Sequence, residues 1–189
     1  RVAAYMPNTI ETVEAFIATT SLGGIWSSCS PDFGSKGVIE RFSQINPKVL
    51  FITDQYFYNG KKIDILNRLP EILKLIPSIK SVVISNYPGK KFIKNKYKFK
   101  KINLFKWNEL MQTNTEKIDF KRFDFETELA ILYSSGTTGK PKCICHRSGG
   151  VLIQHMKEHQ LHCNIKENDN VFYFTTCGWM MWNWLVSSL

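Results

Sequence analysis

The chain has 189 residues, 43% of them hydrophobic and 22% charged, a balance that excludes a wholly disordered or fibrous protein. Lysine and arginine outnumber acids 25 to 16, giving a formal charge of +9, and none of the five cysteines forms a CxxC pair. The odd cysteine count argues for reduced thiols rather than a disulfide framework, and the lack of any apolar run of about eighteen residues predicts no membrane-spanning helix.

In chain order, "RVAAYMPN" predicts a strand ending at Pro7. Asn8 is placed to cap the next helix, with Glu11 as its capping-box partner. Ile10, Val13 and Ile17 recur at helical spacing, and Gly23-Gly24 stop the helix. "IWSSCS" predicts a second strand, and "SPDFGSKG" leads into a helix carrying Val38, Ile39 and Phe42, closed by Asn46-Pro47. "VLFIT" is a third strand. "DQYFYNGKK" reads as a connection to a helix near Ile63–Ile76, interrupted at Pro70, and "SVVIS" is a fourth strand. Strand and helix alternate with short connections, which predicts an α/β layered domain with a parallel sheet and helices on both faces. Ligands of such sheets gather at the carboxyl ends of the strands.

Much of the positive charge sits in "GKKFIKNKYKFKK", Gly89–Lys101. Phe92, Tyr97 and Phe99 interleave its lysines, a pattern able to hold single-stranded nucleic acid. A solvated lysine-rich connection accounts for it more simply, and no nucleic-acid partner is expected. "NLFKWNELM" reads as a short helix, and "QTNTEKIDFKRFDFETE" as a polar surface connection.

Leu129–Tyr133 is a continuous apolar run, as in a strand buried on both faces. It ends in "SSGTTGKPK". Gly136 and Gly139 can adopt φ > 0, so successive backbone N–H groups can converge on one point. Ser134, Ser135, Thr137 and Thr138 add hydroxyls, and Lys140 and Lys142 add charge, a donor set suited to a polyphosphate. This is not a Walker loop, because the glycines are three apart and Pro141 follows Gly139-Lys140. "CICH" favours an extended exit, hence strand, loop, strand. Composition alone leaves a plain surface loop equally open.

Ser148–His162 predicts a helix, "NVFYFTT" a strand, and "GWMMWNWLVSSL" a dense aromatic and methionine segment. His155, Glu158 and His159 spell H-x-x-E-H, which on a helix can bind zinc with Glu158 as base. The motif is short and lacks a clear third ligand, so a helix with histidines on its wetter side is the commoner explanation, and no metal site is expected.

"YSSGTTGKPK", Tyr133–Lys142, resembles the phosphate-loop signature of the adenylate-forming superfamily, which includes acyl-CoA synthetases, luciferases and adenylation domains. Within it, "IWSSCSPDFG", "RFSQINPK", "YNGKK", "HRSGGVLIQHMKEHQLH" and "TTCGWMMWNWLVSSL" resemble the acetoacetyl-CoA synthetase branch. The likeness is weakest through Tyr87–Glu128, and it covers the histidine motif at a helix with no metal role in that family. It implies an internal fragment, residues 1–189, of the large N-terminal AMP-binding domain, without the small C-terminal domain. Opening at Arg1 and stopping at Leu189 inside an apolar run fit that reading.

The resemblance implies ATP, Mg2+ and coenzyme A, with acetoacetate as the acid, in a cytosolic enzyme. The nucleotide's β- and γ-phosphates would be held by Ser134, Ser135, Gly136, Thr137, Thr138, Gly139 and Lys142. Tyr58 and Lys61 align with arginines that related enzymes set against the nucleotide end of coenzyme A, and Ser28–Ser30 align near the pantetheine path. Trp179, Met180, Met181 and Trp182 align with the acyl-pocket segment; Trp184 and Leu185 read as core. The resemblance places the adenine and ribose contacts and the catalytic lysine beyond Leu189, so the fragment alone is expected to be inactive and unable to fold stably.

Overall fold

The computed structural model describes residues 1–90, 99–112, 119–134 and 139–189. Along the chain come β1 (Val2–Tyr5), α1 (Ile10–Ser21), β2 (Trp26–Cys29), α2 (Ser35–Ile45) and β3 (Val49–Thr53). A hairpin of β4 (Gln55–Tyr58) and β5 (Lys61–Asp64) follows, then a 3-10 turn at Leu66–Arg68, α3 (Leu69–Leu75) and β6 (Ser81–Ser85). The rest is β7 (Asn103–Lys106), α4 (Trp107–Leu110), β8 (Glu128–Ser134), β9 (Lys142–Arg147), α5 (Ser148–Lys157), a π turn at Glu158–His162, and α6 (Met180–Val186).

Seven strands form one sheet in the order β7-β6-β3-β1-β2-β8-β9. Every neighbouring pair is parallel except β8 and β9. Alternate side chains of a strand face opposite ways, and each face has its own cover. Tyr5, Leu50, Ile52 and Val82 pack with Val38 and Phe42 of α2 and Leu69 and Ile72 of α3. Ala4, Met6 and Trp26 pack on the other face with Ala15 and Phe16 of α1. Trp182 and Val186 of α6 extend that layer against Val13 and Phe16. Both faces of β1 and β2 are therefore dry, which explains their lack of polar alternation.

Several local expectations change. The α1 N-cap is Thr9, whose carbonyl receives the Thr12 and Val13 amides. Asn8 instead accepts a hydrogen bond from Trp182 Nε1 at 2.8 Å, so a tertiary partner has taken the expected cap. "DQYFYNGKK" is the β4–β5 hairpin, turned by Asn59 (φ 48) and Gly60 (φ 71), the left-handed pair of a tight hairpin turn. Pro70 lies in the first turn of α3, where its missing N–H costs nothing, and does not interrupt a helix. "NLFK" is an edge strand on β6 before the one-turn α4, not part of a helix. Asn170–Thr176 forms no strand and joins neither sheet.

Candidate functional site

β1 exits into α1 on one face of the sheet, and its neighbour β2 exits into α2 on the other, so a crevice opens between their carboxyl ends. The turn before α6 lies in it. Ser28 Oγ donates to the Cys177 carbonyl at 2.5 Å, and Cys177 Sγ donates to the Met6 carbonyl at 2.7 Å. Burial pushes the Cys177 thiol far above its usual range, so it stays protonated and able to donate. A Cβ on Gly178 would sit 2.9 Å from the Phe33 ring and 3.3 Å from the Ser30 amide nitrogen, a close approach that requires glycine.

The phosphate-loop candidates leave β8, the strand beside β2. In the β8–β9 register Ser134 lies opposite Lys142, which closes the expected strand–loop–strand as an antiparallel hairpin at the carboxyl edge. Ser135, Gly136, Thr137 and Thr138 lie outside the described residues. Gly139 has φ +134, a conformation open to glycine, with nothing within 4 Å of a built Cβ. Gln44 Nε2 donates to the Pro141 carbonyl at 2.9 Å and ties the loop's exit to α2. At its entrance the Tyr133 hydroxyl lies 3.0 Å from Ser27 Oγ, and Ser27 donates to the Ile131 carbonyl at 2.8 Å. Burial raises the Tyr133 pKa and keeps its hydroxyl neutral. Neighbouring serines of β2 thus reach opposite ways: Ser27 to the root of the loop, Ser28 to the turn before α6.

Tyr58 and Lys61 face each other across the hairpin turn, with Tyr58 stacked on Tyr56 at 6.2 Å. Lys90 lies 4.8 Å over the Phe57 ring beside it, while residues 91–98 of the basic run lie outside the described residues.

The acyl-segment candidates divide. Met180 and Met181 line a cavity of about 880 Å3 with His146, Tyr173 and Trp184, and Trp179 and Met181 wall a smaller one of about 280 Å3. Trp182 is fully buried between Phe16 and Trp26, with ring centroids at 5.6 and 6.5 Å. It is a core residue, held by Asn8. Trp184, expected in the core, stands in the wall of the larger cavity.

His155 and His159 are buried rather than on a wet side. Ser187 Oγ already donates to the Trp184 carbonyl at 2.8 Å, so His155 Nδ1 is the donor in its 2.7 Å contact with Ser187. His159 Nε2 donates to the same Trp184 carbonyl at 3.1 Å. One nitrogen of each ring is committed to joining α5 to α6. Among the described residues no group of three or more His, Cys, Asp or Glu is arranged to hold a metal. Burial, with His159 and His146 nearby, holds the His155 pKa below its usual value.

Sequence reasoning gave no role to Ser27 or Cys177. The one available signal was a pair of serines inside an otherwise apolar, doubly covered strand, which demands buried acceptors.

The family model for the AMP-binding enzyme matches residues 1–187. The chain belongs to the AMP-binding enzyme family. Among curated proteins, this chain is 46% identical over 193 residues to "Acetoacetyl-CoA synthetase" of Gallus gallus. It is 47% identical over 189 residues to "Acetoacetyl-coenzyme A synthetase" of Rhizobium meliloti (strain 1021). Both matches cover 100% of this chain and only 29% and 28% of the relatives, so the chain spans under a third of their length. The solved "Acetoacetyl-CoA Synthetase from Streptomyces lividans" superposes with a TM-score of 0.88 at 38% identity, covering 100% of this chain and 28% of that one.

Proposed function

We propose that this chain is part of the large N-terminal domain of an ATP-dependent, AMP-forming acetoacetate–CoA ligase. The observation that supports the reading is the Ser134–Lys142 pairing, which brings the two ends of the glycine- and hydroxyl-rich segment together at the carboxyl end of β8.

In this reading Ser134, Ser135, Gly136, Thr137, Thr138 and Gly139 direct hydroxyl and amide hydrogens at the β- and γ-phosphate oxygens of ATP, and Lys142 adds a positive charge. The carboxylate of acetoacetate attacks the α-phosphorus, pyrophosphate leaves, and an acyl-adenylate forms; the thiol of coenzyme A then displaces AMP. Donors fixed before the reaction stabilise charge that develops on the departing pyrophosphate. The segment Ser134–Lys142 holds donors and lysines and no carboxylate, so it suits phosphate oxygens rather than a bare cation. Mg2+ would supply further charge neutralisation on the phosphates. Met180 and Met181 supply polarizable walls for the acyl chain. Tyr58 and Lys61, paired at the exposed hairpin tip, suit the nucleotide end of coenzyme A by stacking and charge. A cytosolic location accords with this chemistry.

The test is pyrophosphate release by the full-length protein with acetoacetate, acetate and butyrate, repeated after alanine replacement of Thr137, Thr138 and Lys142. Acetoacetate should be preferred, and the triple variant should lose at least about 100-fold in rate. Equal rates on the three acids would remove acetoacetate as the substrate, and an unimpaired triple variant would remove the loop's role.

A further inference from the structure

Resting on that reading, we infer that Arg68 is a positioning residue for the coenzyme A half of the reaction, clamping the turn after β2 so that the hairpin tip and the crevice keep a fixed spacing. Arg68 closes the 3-10 turn before α3. Its Nη1 donates to the Pro31 carbonyl at 3.1 Å, to the Phe33 carbonyl at 3.0 Å and to the Tyr5 hydroxyl at the end of β1. The Tyr5 hydroxyl in turn donates to the Phe33 carbonyl at 2.5 Å. Burial pushes the Tyr5 pKa up to about 12 despite the adjacent guanidinium, so the hydroxyl stays neutral and keeps that hydrogen. Among the described residues Arg68 forms no ion pair, and its donors hold backbone carbonyls instead.

The clamped turn stands between two places that the proposed chemistry needs. On one side the Phe33 ring lies against the Gly178 turn, where an added Cβ would sit 2.9 Å from it, and Met180 and Met181 follow directly in the chain. On the other side Asp32 accepts from Ser30 Oγ at 2.6 Å and faces Tyr56. Burial, with the Asp32 carboxylate beside it, raises the Tyr56 pKa to about 12. Tyr56 stacks on Tyr58 at 6.2 Å, and Tyr58 lies opposite Lys61 across the hairpin turn. Contacts therefore run from the hairpin tip through Asp32 and Phe33 to the acyl wall, and Arg68 ties the middle of that path to β1.

In the proposed reaction Tyr58 and Lys61 hold the nucleotide end of coenzyme A while its thiol reaches an acyl group walled by Met180 and Met181. A ligand gripped at one place and reacting at another loses rate steeply when the spacing drifts, by about 100-fold for a misplacement of about 1 Å. Adenylate formation needs no such span. It joins the acid to the α-phosphate and uses the loop between β8 and β9, none of whose described residues hydrogen-bonds to Arg68. Arg68 therefore matters to the second step and not to the first.

The experiment follows the two steps separately in the full-length protein: pyrophosphate release in a single turnover with ATP and acetoacetate alone, and steady-state kcat/KM for coenzyme A. Arg68→Met, Arg68→Lys and Tyr5→Phe are compared with the wild type and with the double variant Tyr58→Ala, Lys61→Ala, each with a thermal melt and all assayed below the lowest melting temperature. Arg68→Met should lower kcat/KM for coenzyme A about tenfold or more while pyrophosphate release stays within about twofold. Arg68→Lys should recover part of the loss, because an ammonium still donates but lacks the rigid fork. If both Arg68 variants melt early, Tyr5→Phe, which keeps the ring and removes one donor, carries the test with a loss of about threefold in the same step. An unchanged kcat/KM in a variant that melts like the wild type, or an equal fall in both steps, overturns the inference. An unchanged kcat/KM in the hairpin double variant would instead remove the proposed role of Tyr58 and Lys61, so the two failures are distinct.

Discussion

Ser28 and Cys177, far apart in sequence, meet across 2.5 Å at the crevice between β1 and β2. The Ser28 oxygen also accepts from Trp26 Nε1 at 3.0 Å. One hydroxyl thereby satisfies an indole N–H and a carbonyl that have no water to turn to. Replacing Ser28 by alanine should cost about 1–3 kcal/mol, the penalty for orphaning buried polar groups, read by denaturant titration of the full-length protein. A loss below a few tenths would show that neither group needs it.

The thiols of Cys29 and Cys177 are fully buried, and burial raises the pKa of both, that of Cys29 to about 12. Neither is a ready nucleophile, since the thiolate is the reactive form. In the folded full-length protein both should resist alkylation, and both should react once denaturant unfolds it. Mass spectrometry of labelled peptides reads the outcome directly, and fast native labelling of Cys177 would contradict the Met6 contact.

Trp182 and Met180 lie two positions apart yet should behave oppositely. Trp182→Ala empties a site between Phe16 and Trp26 and should destabilise the protein by about 3–5 kcal/mol. Met180 is 46% exposed beside the larger cavity, so Met180→Ala should spare the melting temperature and shift KM for the acyl acid. Matching effects on stability would return Met180 to the core.

The His155 pKa is lowered in the fold by burial and by His159 and His146, with Glu158 opposing. His146 is lowered too, by burial. Below the ordinary value of 6.5 the unfolded chain therefore binds protons that the fold refuses. Stability contributed by these neutral rings is complete above that pH and is lost as pH falls toward the folded values. Melting temperature should drop on acidification, and His155→Gln should flatten the drop. An equally steep profile in that variant would remove His155 from the account.

Much of the frame is legible in the chain. "RVAAY", "VLFIT" and "SVVIS" are mainly apolar runs, "IWSSC" is apolar but for its two serines, and helical patterns separate them; such runs arise where a strand is covered on both faces. The hairpin at Asn59-Gly60 is also legible, as an N-G pair after the aromatic run Tyr56–Tyr58, although the segment reads as a connection when the helix near Ile63 is taken to follow it directly. Asn170–Thr176 shows the reverse error: its β-branched and aromatic residues fit a strand, but pairing needs a neighbour, and local sequence does not say whether one is there.

Residue chemistry alone singles out the loop proposed to meet phosphate, because glycine at Gly139 and the hydroxyls and amides of Ser134–Thr138 are written in the sequence itself. Tertiary structure alone decided which aromatics of "WMMWNW" are core and which are wall. On a short helix that choice depends on what packs against each face: Phe16 and Trp26 claim Trp182, and Asn8, by accepting its indole hydrogen, is lost as a helix cap.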